Sequence, residues 1–207
     1  MLFAVIIFGI MTYAFAQVSS ENKECQYVGM TNFDSSKYFD IEHAYVTHAK
    51  NGRNSNFCRE LTTTKHTNGT IATIAKGYDE ISGETYYSEI YCSGPSTVNN
   101  QGGFTFDCHF LKDTRKRVLG NYKLFTSVID TDYKTYAVLY RCTKIPEVPV
   151  NLENFLVLKT DKNSNNDEVK QSLQRKGMEL DKFFSRNNEY CNSAKNKIAK
   201  EEGKKET

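Results

Sequence analysis

Between residues 44 and 160 the chain alternates short apolar or aromatic runs with turn-forming stretches. The runs are Ala44–Lys50, Cys58–His66, Thr70–Tyr78, Thr85–Cys92, Gly103–Leu111, Val118–Ile129, Tyr136–Thr143 and Phe155–Lys159. Asn51-Gly52, Asn68-Gly69, Ser82-Gly83 and Asp130-Thr131-Asp132 punctuate them. The runs are rich in Tyr, Phe, Thr, Val and Ile, which suit a pleated, half-buried surface. Eight strands at this spacing predict an all-β sandwich or barrel. The period then changes. Asn166-Asp167 reads as a helix N-cap, and Val169, Leu173, Leu180 and Phe184 share one helical face. This predicts one amphipathic helix packed outside the β-structure, weakened at Gly177. The Lys- and Glu-rich stretch Lys195–Thr207 reads as a flexible, solvated tail.

Met1–Ala16 carries no charge and ends in Ala14-Phe15-Ala16, a small-x-small cleavage site. It is too short for a membrane span, which needs about 20 apolar residues. It therefore reads as a secretory signal peptide. Residues 17–207 then form a single domain, without a membrane anchor. A net charge of +2 excludes a strongly basic nucleic-acid binder.

The six cysteines are Cys25, Cys58, Cys92, Cys108, Cys142 and Cys191. An even number in a secreted chain predicts three disulfides. Zinc ligation wants close pairs such as C-x2-C, and none is present, so no metal is expected. Spacing alone does not choose among the pairings. Asn68-Gly69-Thr70 is a glycosylation sequon in a turn-like stretch. There is no G-x-S-x-G, H-E-x-x-H or Walker-type loop, and His43, His48, His66 and His109 are scattered, so an enzyme is not expected.

Several stretches resemble the salivary lipocalins of blood-feeding bugs, the triabin, pallidipin and nitrophorin family with its amine-binding and leukotriene-binding members. Asp34-Ser35-Ser36-Lys37-Tyr38-Phe39 followed by Tyr45-Val46-Thr47-His48 resembles the family's opening strand. Gly120-Asn121-Tyr122 and Val138-Leu139-Tyr140-Arg141-Cys142 resemble later strands, and Asp167-Glu168-Val169-Lys170 through Phe184 to Cys191 resembles the terminal helix. The likeness covers essentially the whole mature chain. It implies an eight-stranded antiparallel lipocalin barrel with a C-terminal helix outside, secreted in saliva and monomeric. It also implies the pairings Cys25–Cys142, Cys58–Cys191 and Cys92–Cys108. There are two departures. The lipocalin Gly-x-Trp is missing, with Ala44 in place of the Trp. Gly77 stands where nitrophorins carry the haem-ligating histidine, and glycine offers no ligand, so no haem or other cofactor is expected.

By the same resemblance, residues along each strand alternate between cavity and exterior. The implied cavity residues are His48, Lys50, Tyr86, Ser88, Lys123, Phe125, Leu139 and Arg141, with Lys50 nearest the mouth. The phase of Leu139 and Arg141 follows from Cys142 facing out to reach Cys25. Cations near the opening with few inward acids favour an amphipathic ligand with an acidic head. Anionic eicosanoids such as cysteinyl leukotrienes or thromboxane A2 have that shape. The implied function is sequestration of a host mediator of haemostasis or inflammation, opposing vasoconstriction and platelet aggregation. The rivals are a biogenic amine or ADP scavenger, which for an amine needs an inward carboxylate, and a triabin-like surface inhibitor of a clotting protease. The bland alternatives are that Lys50 and Lys123 snorkel to water and that Arg141 pairs with a nearby Asp.

Overall fold

The computed structural model describes residues 18–21, 25–96, 102–116, 120–146 and 150–203. Met1–Ala16, the expected signal peptide, lies outside the described residues. The strands are β1 (Val18–Glu21), β2 (His43–Ala49), β3 (Phe57–Lys65), β4 (Thr70–Ile81), β5 (Glu84–Pro95), β6 (Gly103–Asp113), β7 (Tyr122–Thr131), β8 (Tyr136–Lys144), β9 (Val150–Lys159) and β10 (Phe184–Ser185). The helices are α1 (Ser35–Tyr38), α2 (Asp167–Arg175) and α3 (Asn188–Gly203).

Strands β2 to β9 pair antiparallel in sequence order, and β9 pairs back on β2, closing an eight-stranded barrel. Closure removes the free sheet edges. Two short strands cover what β2 and β9 leave open. β1 pairs with Val150–Glu153, below the stretch of β9 that meets β2, and β10 pairs with His48 and Ala49 of β2.

The segment before β2 forms a strap across one barrel end. The Met30 N–H donates to the Val128 carbonyl (2.8 Å) on β7, and the Asp34 N–H to the Tyr133 hydroxyl (3.0 Å) in the β7–β8 turn. On the far side Lys65 of β3 pairs with Asp40 at 2.9 Å. Asp34 caps α1 by accepting from the Lys37 N–H at 3.2 Å. This strap end also holds the β3–β4 and β7–β8 turns; the loop end holds residues 50–56 and the β4–β5 turn.

The core has an inner and an outer part. Inside, Val46, Phe57, Ile71, Phe104, Phe106, Leu124, Val128, Leu156 and Leu158 pack with Phe39 of the strap. Outside, Ile129, Val138, Tyr140 and Val157 are covered by Val169 and Leu173 of α2 and by Met178, Leu180 and Phe183. The expected single helix through Phe184 is therefore broken. Arg175 ends α2, and Gly177 takes φ +68°. The Met178 N–H reaches the Leu173 carbonyl (2.9 Å) and the Gly177 N–H the Gln174 carbonyl (3.0 Å). That is a Schellman stop, in which a left-handed residue terminates the helix. The chain then runs through a 3-10 turn, Leu180–Lys182, before β10 and α3. The charged stretch from Lys195 is helical to Gly203, and Ile198 is buried. Tyr190, Cys191 and Ala194 of α3 pack on Cys58 and Tyr78.

The disulfides are Cys25–Cys142, Cys58–Cys191 and Cys92–Cys108, as the resemblance implied. The first two tie outer elements to the barrel. The third links directly opposed residues of β5 and β6 on the inner face.

Candidate functional site

The inward positions follow from the strand registers, because directly paired residues share a face. Ala44 pairs with Leu61, Leu61 with Ala75, Thr73 with Cys92 and Cys92 with Cys108. Phe106 pairs with Leu124, Thr126 with Arg141, and Leu139 with Leu156. Of these, all but Cys108 and Leu156 join Tyr38, Phe39 and Ile41 of the strap in surrounding an internal cavity of about 60 Å³. That is room for a few water molecules. The wall is mainly Phe, Leu, Ala and the Cys92 sulfur, with Thr63, Thr73 and Thr126 as small polar groups. The lining runs out to Thr135 and Thr160 at the strap end. The cavity thus lies towards the end of β2 opposite to Lys50, beneath the strap.

Two cations border this wall, Arg141 and Lys159; the Lys159 ammonium is taken up by the Ser164 and Asn165 carbonyls and the Asn166 side chain, which leaves Arg141 facing the cavity. Burial lowers its pKa, Tyr122 and Tyr38 counteract that, and Arg59 lowers it further. Among the described residues no carboxylate forms an ion pair with Arg141, and a guanidinium stays charged under these conditions. Tyr38 lies half-buried beside it, and desolvation raises the phenol's pKa while Arg141 acts against the rise. Towards the loop end the interior closes with polar contacts. Arg59 pairs with Asp79, and its guanidinium also donates to the Ser88 hydroxyl (2.8 Å) and carbonyl (3.3 Å). Asn154 accepts from the Asn51 N–H and donates to the Asn51 carbonyl, both at 2.9 Å.

Of the residues anticipated from the sequence, Leu139 and Arg141 line the cavity. Ser88 points inward but binds Arg59 above it. Tyr86 shares that phase at the hairpin end, where its hydroxyl donates to Glu84 and Arg115 lies 5.2 Å from the ring. The other four are corrections. Lys123 faces solvent and pairs with Asp107 at 2.8 Å. Phe125 pairs with Cys142, so it shares the outer face that the Cys25 bridge demands. Strict alternation would have kept His48 and Lys50 inward. A bulge between Val46 and His48 inserts Thr47 and reverses the phase. His48 therefore pairs with the outward Val157, and Lys50 lies over the outer Phe155 ring at 4.9 Å. Burial, aided by Lys159, pushes the His48 pKa down to about 4.

The sequence reading missed the strap residues and the Arg59–Asp79 pair. The stretch Asp34–Phe39, which by resemblance opens the first strand, instead forms the strap and its short helix α1, and nothing local says that Tyr38 and Phe39 enter a barrel. The Asn68 sequon is exposed at the tip of the β3–β4 hairpin, where the Asn68 side chain accepts from the Thr70 N–H at 3.0 Å. At Gly77, a Cβ would lie 1.5 Å from the Cys58 carbonyl oxygen.

The family model described as Triabin matches residues 15–173, from before the barrel into α2. The chain belongs to the Triabin family. Among its relatives, pallidipin of Meccus pallidipennis is 34% identical over 195 residues, covering 93% of this chain and 97% of that one. Triplatin of Triatoma infestans is 37% identical over 193 residues, covering 92% and 96%. The structure of the tryptamine complex of the amine-binding protein of Rhodnius prolixus matches with a TM-score of 0.63 at 21% identity, covering 83% of this chain and 94% of that one. A variant of LTBP1 in complex with leukotriene C4 matches with a TM-score of 0.56 at 21% identity, covering 77% and 90%. These structural likenesses support the lipocalin fold. Triabin-family members are ligand-binding, lipocalin-type proteins and not enzymes.

Proposed function

We propose that this Triabin-family protein is secreted in saliva and sequesters a small amphipathic host mediator with an anionic head, an eicosanoid being the best fit. The observation that carries the reading is Arg141: a permanent cation in an apolar cavity, with no carboxylate paired to it among the described residues. A buried charge without a partner is unfavourable, and a bound carboxylate supplies one. The inward aspartate that could attract an amine, Asp79, is already engaged by Arg59. The acids Glu60 and Asp107 lie outside, paired with Arg186 and Lys123. Three disulfides suit an oxidising, extracellular compartment. A relative from Triatoma infestans bears the name platelet inhibitor triplatin-2, which supports a role against platelet activation.

The cavity as it stands is small for a twenty-carbon lipid, since ligand pockets typically span about 300–1,000 Å³. Ligand entry therefore displaces the strap aromatics Tyr38 and Phe39. Haem has no place in this reading, because Gly77 has no ligand to offer and a side chain there would strike the Cys58 carbonyl. Asn68 carries an N-linked glycan in this reading, and a glycosidase-sensitive mass shift absent from Asn68→Gln would register it. Calorimetry of the secreted protein against a thromboxane analogue, leukotriene C4, serotonin and ADP tests the ligand class. Heat with an eicosanoid is expected, above all with the monocarboxylate thromboxane analogue; tight serotonin binding without eicosanoid heat overturns the assignment.

A further inference from the structure

The charged side chains that face the barrel interior, among the described residues, are the buried Arg59 and Asp79 and the half-buried Arg141. Lys159 also borders the cavity, but it pairs with Tyr136 on the outer face and its ammonium donates to the Ser164 and Asn165 carbonyls. Lys65, Glu84 and Asp113 share the inward phase but sit at strand ends. There Lys65 bonds Asp40, Glu84 accepts from the Tyr86 hydroxyl, and Asp113 accepts from the Arg115 N–H. The enclosed sum is one positive charge. The Arg59–Asp79 pair lies next to the cavity: Arg59 is the inward position adjoining Leu61 on β3, and its charge acts on Arg141. Arg59 and Asp79 are both buried, and Ser88 holds the guanidinium from the other side.

Charges enclosed together interact strongly, because the screening water is gone. Arg59 and Asp79 cancel each other, leaving Arg141 to set the sign. Were Asp79 neutral, two arginines would face the ligand. Were Arg59 neutral, a carboxylate would stand beside the cavity to oppose an anion and receive an ammonium. We propose that the Arg59–Asp79 pair is the specificity determinant of the barrel, holding its interior at a single uncompensated positive charge so that it takes a singly charged anion and rejects amines and multiply charged anions. This rests on the anion reading above and adds to it the charge number of the ligand.

The test measures equilibrium dissociation constants on the full secreted protein, with arachidonate, an α,ω-diacid of equal chain length, and tryptamine as probes. The unaltered protein is expected to bind the monoacid at least about tenfold more tightly than the diacid. Asp79→Asn shifts that preference by roughly tenfold towards the diacid, and Arg59→Gln weakens arachidonate by a similar factor while gaining measurable tryptamine binding. Thermal melts identify which variants fold; where one does not, the other variant and the monoacid–diacid ratio of the unaltered protein still decide. Equal binding of monoacid and diacid by the unaltered protein overturns the inference, as does a folded variant with unchanged preference. Arg141→Met separates the two levels. If it binds arachidonate as well as the unaltered protein does, the anion reading itself fails. If it loses arachidonate while the Asp79 and Arg59 variants keep the original preference, only the role of the pair fails.

Discussion

Arg141 costs the fold something and serves the ligand. Its guanidinium is desolvated in the barrel wall without an acidic partner among the described residues. Arg141→Met should therefore raise resistance to denaturant while weakening an anionic ligand by about 1.5–3 kcal/mol, the range for hydrogen bonds to charged groups. Lys123→Ala is the control: its ammonium is exposed and paired with Asp107 on the outer face. Calorimetry should find its affinity unchanged, and a matching loss in both variants would show that general surface charge, not the cavity, attracts the ligand. His48 gives a separate residue-scale outcome. Its pKa is about 4 in the fold, against about 6.5 in an unfolded chain. Between those values the unfolded state holds more protons, so the stability gained by keeping the ring neutral is complete above pH ~6.5 and is lost as the pH falls towards 4. Denaturant titrations at pH 7 and pH 4.5 should show His48→Gln escaping about 2 kcal/mol of the acid loss seen in the unaltered protein.

The strap is the element on which access to the cavity turns. It is anchored at β7, the β7–β8 turn and β3, and places Tyr38 and Phe39 against Phe104 and Phe106. Phe39 also borders a groove on the outside, formed with Asp40, Glu42 and residues 62–65. It therefore stands between cavity and solvent. Phe39→Ala should lower stability by about 3–5 kcal/mol, since it empties a packed site. It should also tighten an apolar-tailed anion, because the ligand no longer has to move the ring. A stability loss with no gain in affinity would place the entry route elsewhere. At this same scale, the β2 bulge decides what the barrel wall shows its interior. One extra residue, Thr47, moves His48 and Lys50 from the side that plain alternation assigns them. No residue type around Thr47 announces a bulge; it is settled by the pairing with β9.

Across the whole molecule, two long-range disulfides hold the outer layer to the barrel. Cys58–Cys191 closes a separation of 133 residues and is what fastens α3 over β3 and β4. The chain-entropy model gives about 3 kcal/mol for a loop of roughly 15 residues and more for longer ones, with losses of about 2–5 kcal/mol typical. Removing Cys58–Cys191 as a double alanine variant should cost more stability than removing Cys92–Cys108, whose separation is 16. It should also let α3 unwind, so that trypsin cleaves after its exposed Lys195, Lys197 and Lys200, which proteolysis followed by mass spectrometry would report. Equal denaturation midpoints for the two variants would mean that α3 stays docked by packing alone.

Much of this architecture was legible in the chain. Alternating Tyr, Phe, Thr and Val runs with turn residues between them specify strands through local sterics and a period of two. The even set of cysteines points to disulfides, and Asn166-Asp167 with Val169 and Leu173 marks where α2 starts and what it buries. In the sequence Gly177 only weakens a helix running on to Phe184 and does not locate its stop, because a left-handed glycine declares itself through the bonds that the Gly177 and Met178 N–H groups make to the Gln174 and Leu173 carbonyls. The phase of β8 was readable only through the Cys25–Cys142 pairing that the family resemblance implied, which turns Cys142 outward. The phase of β7 was not, since it depends on Phe125 lying opposite Cys142, a pairing between strands that neither strand encodes alone. The sequence by itself determined the strand runs, the residue types that line a barrel and the chemistry of each charge. Tertiary structure alone decided which charges meet: Arg59 with Asp79, Lys123 with Asp107, and Arg141 with no acid partner among the described residues. The physical reason is that register, bulge and closure fix distances between residues far apart in the chain, and ion pairing depends on distance.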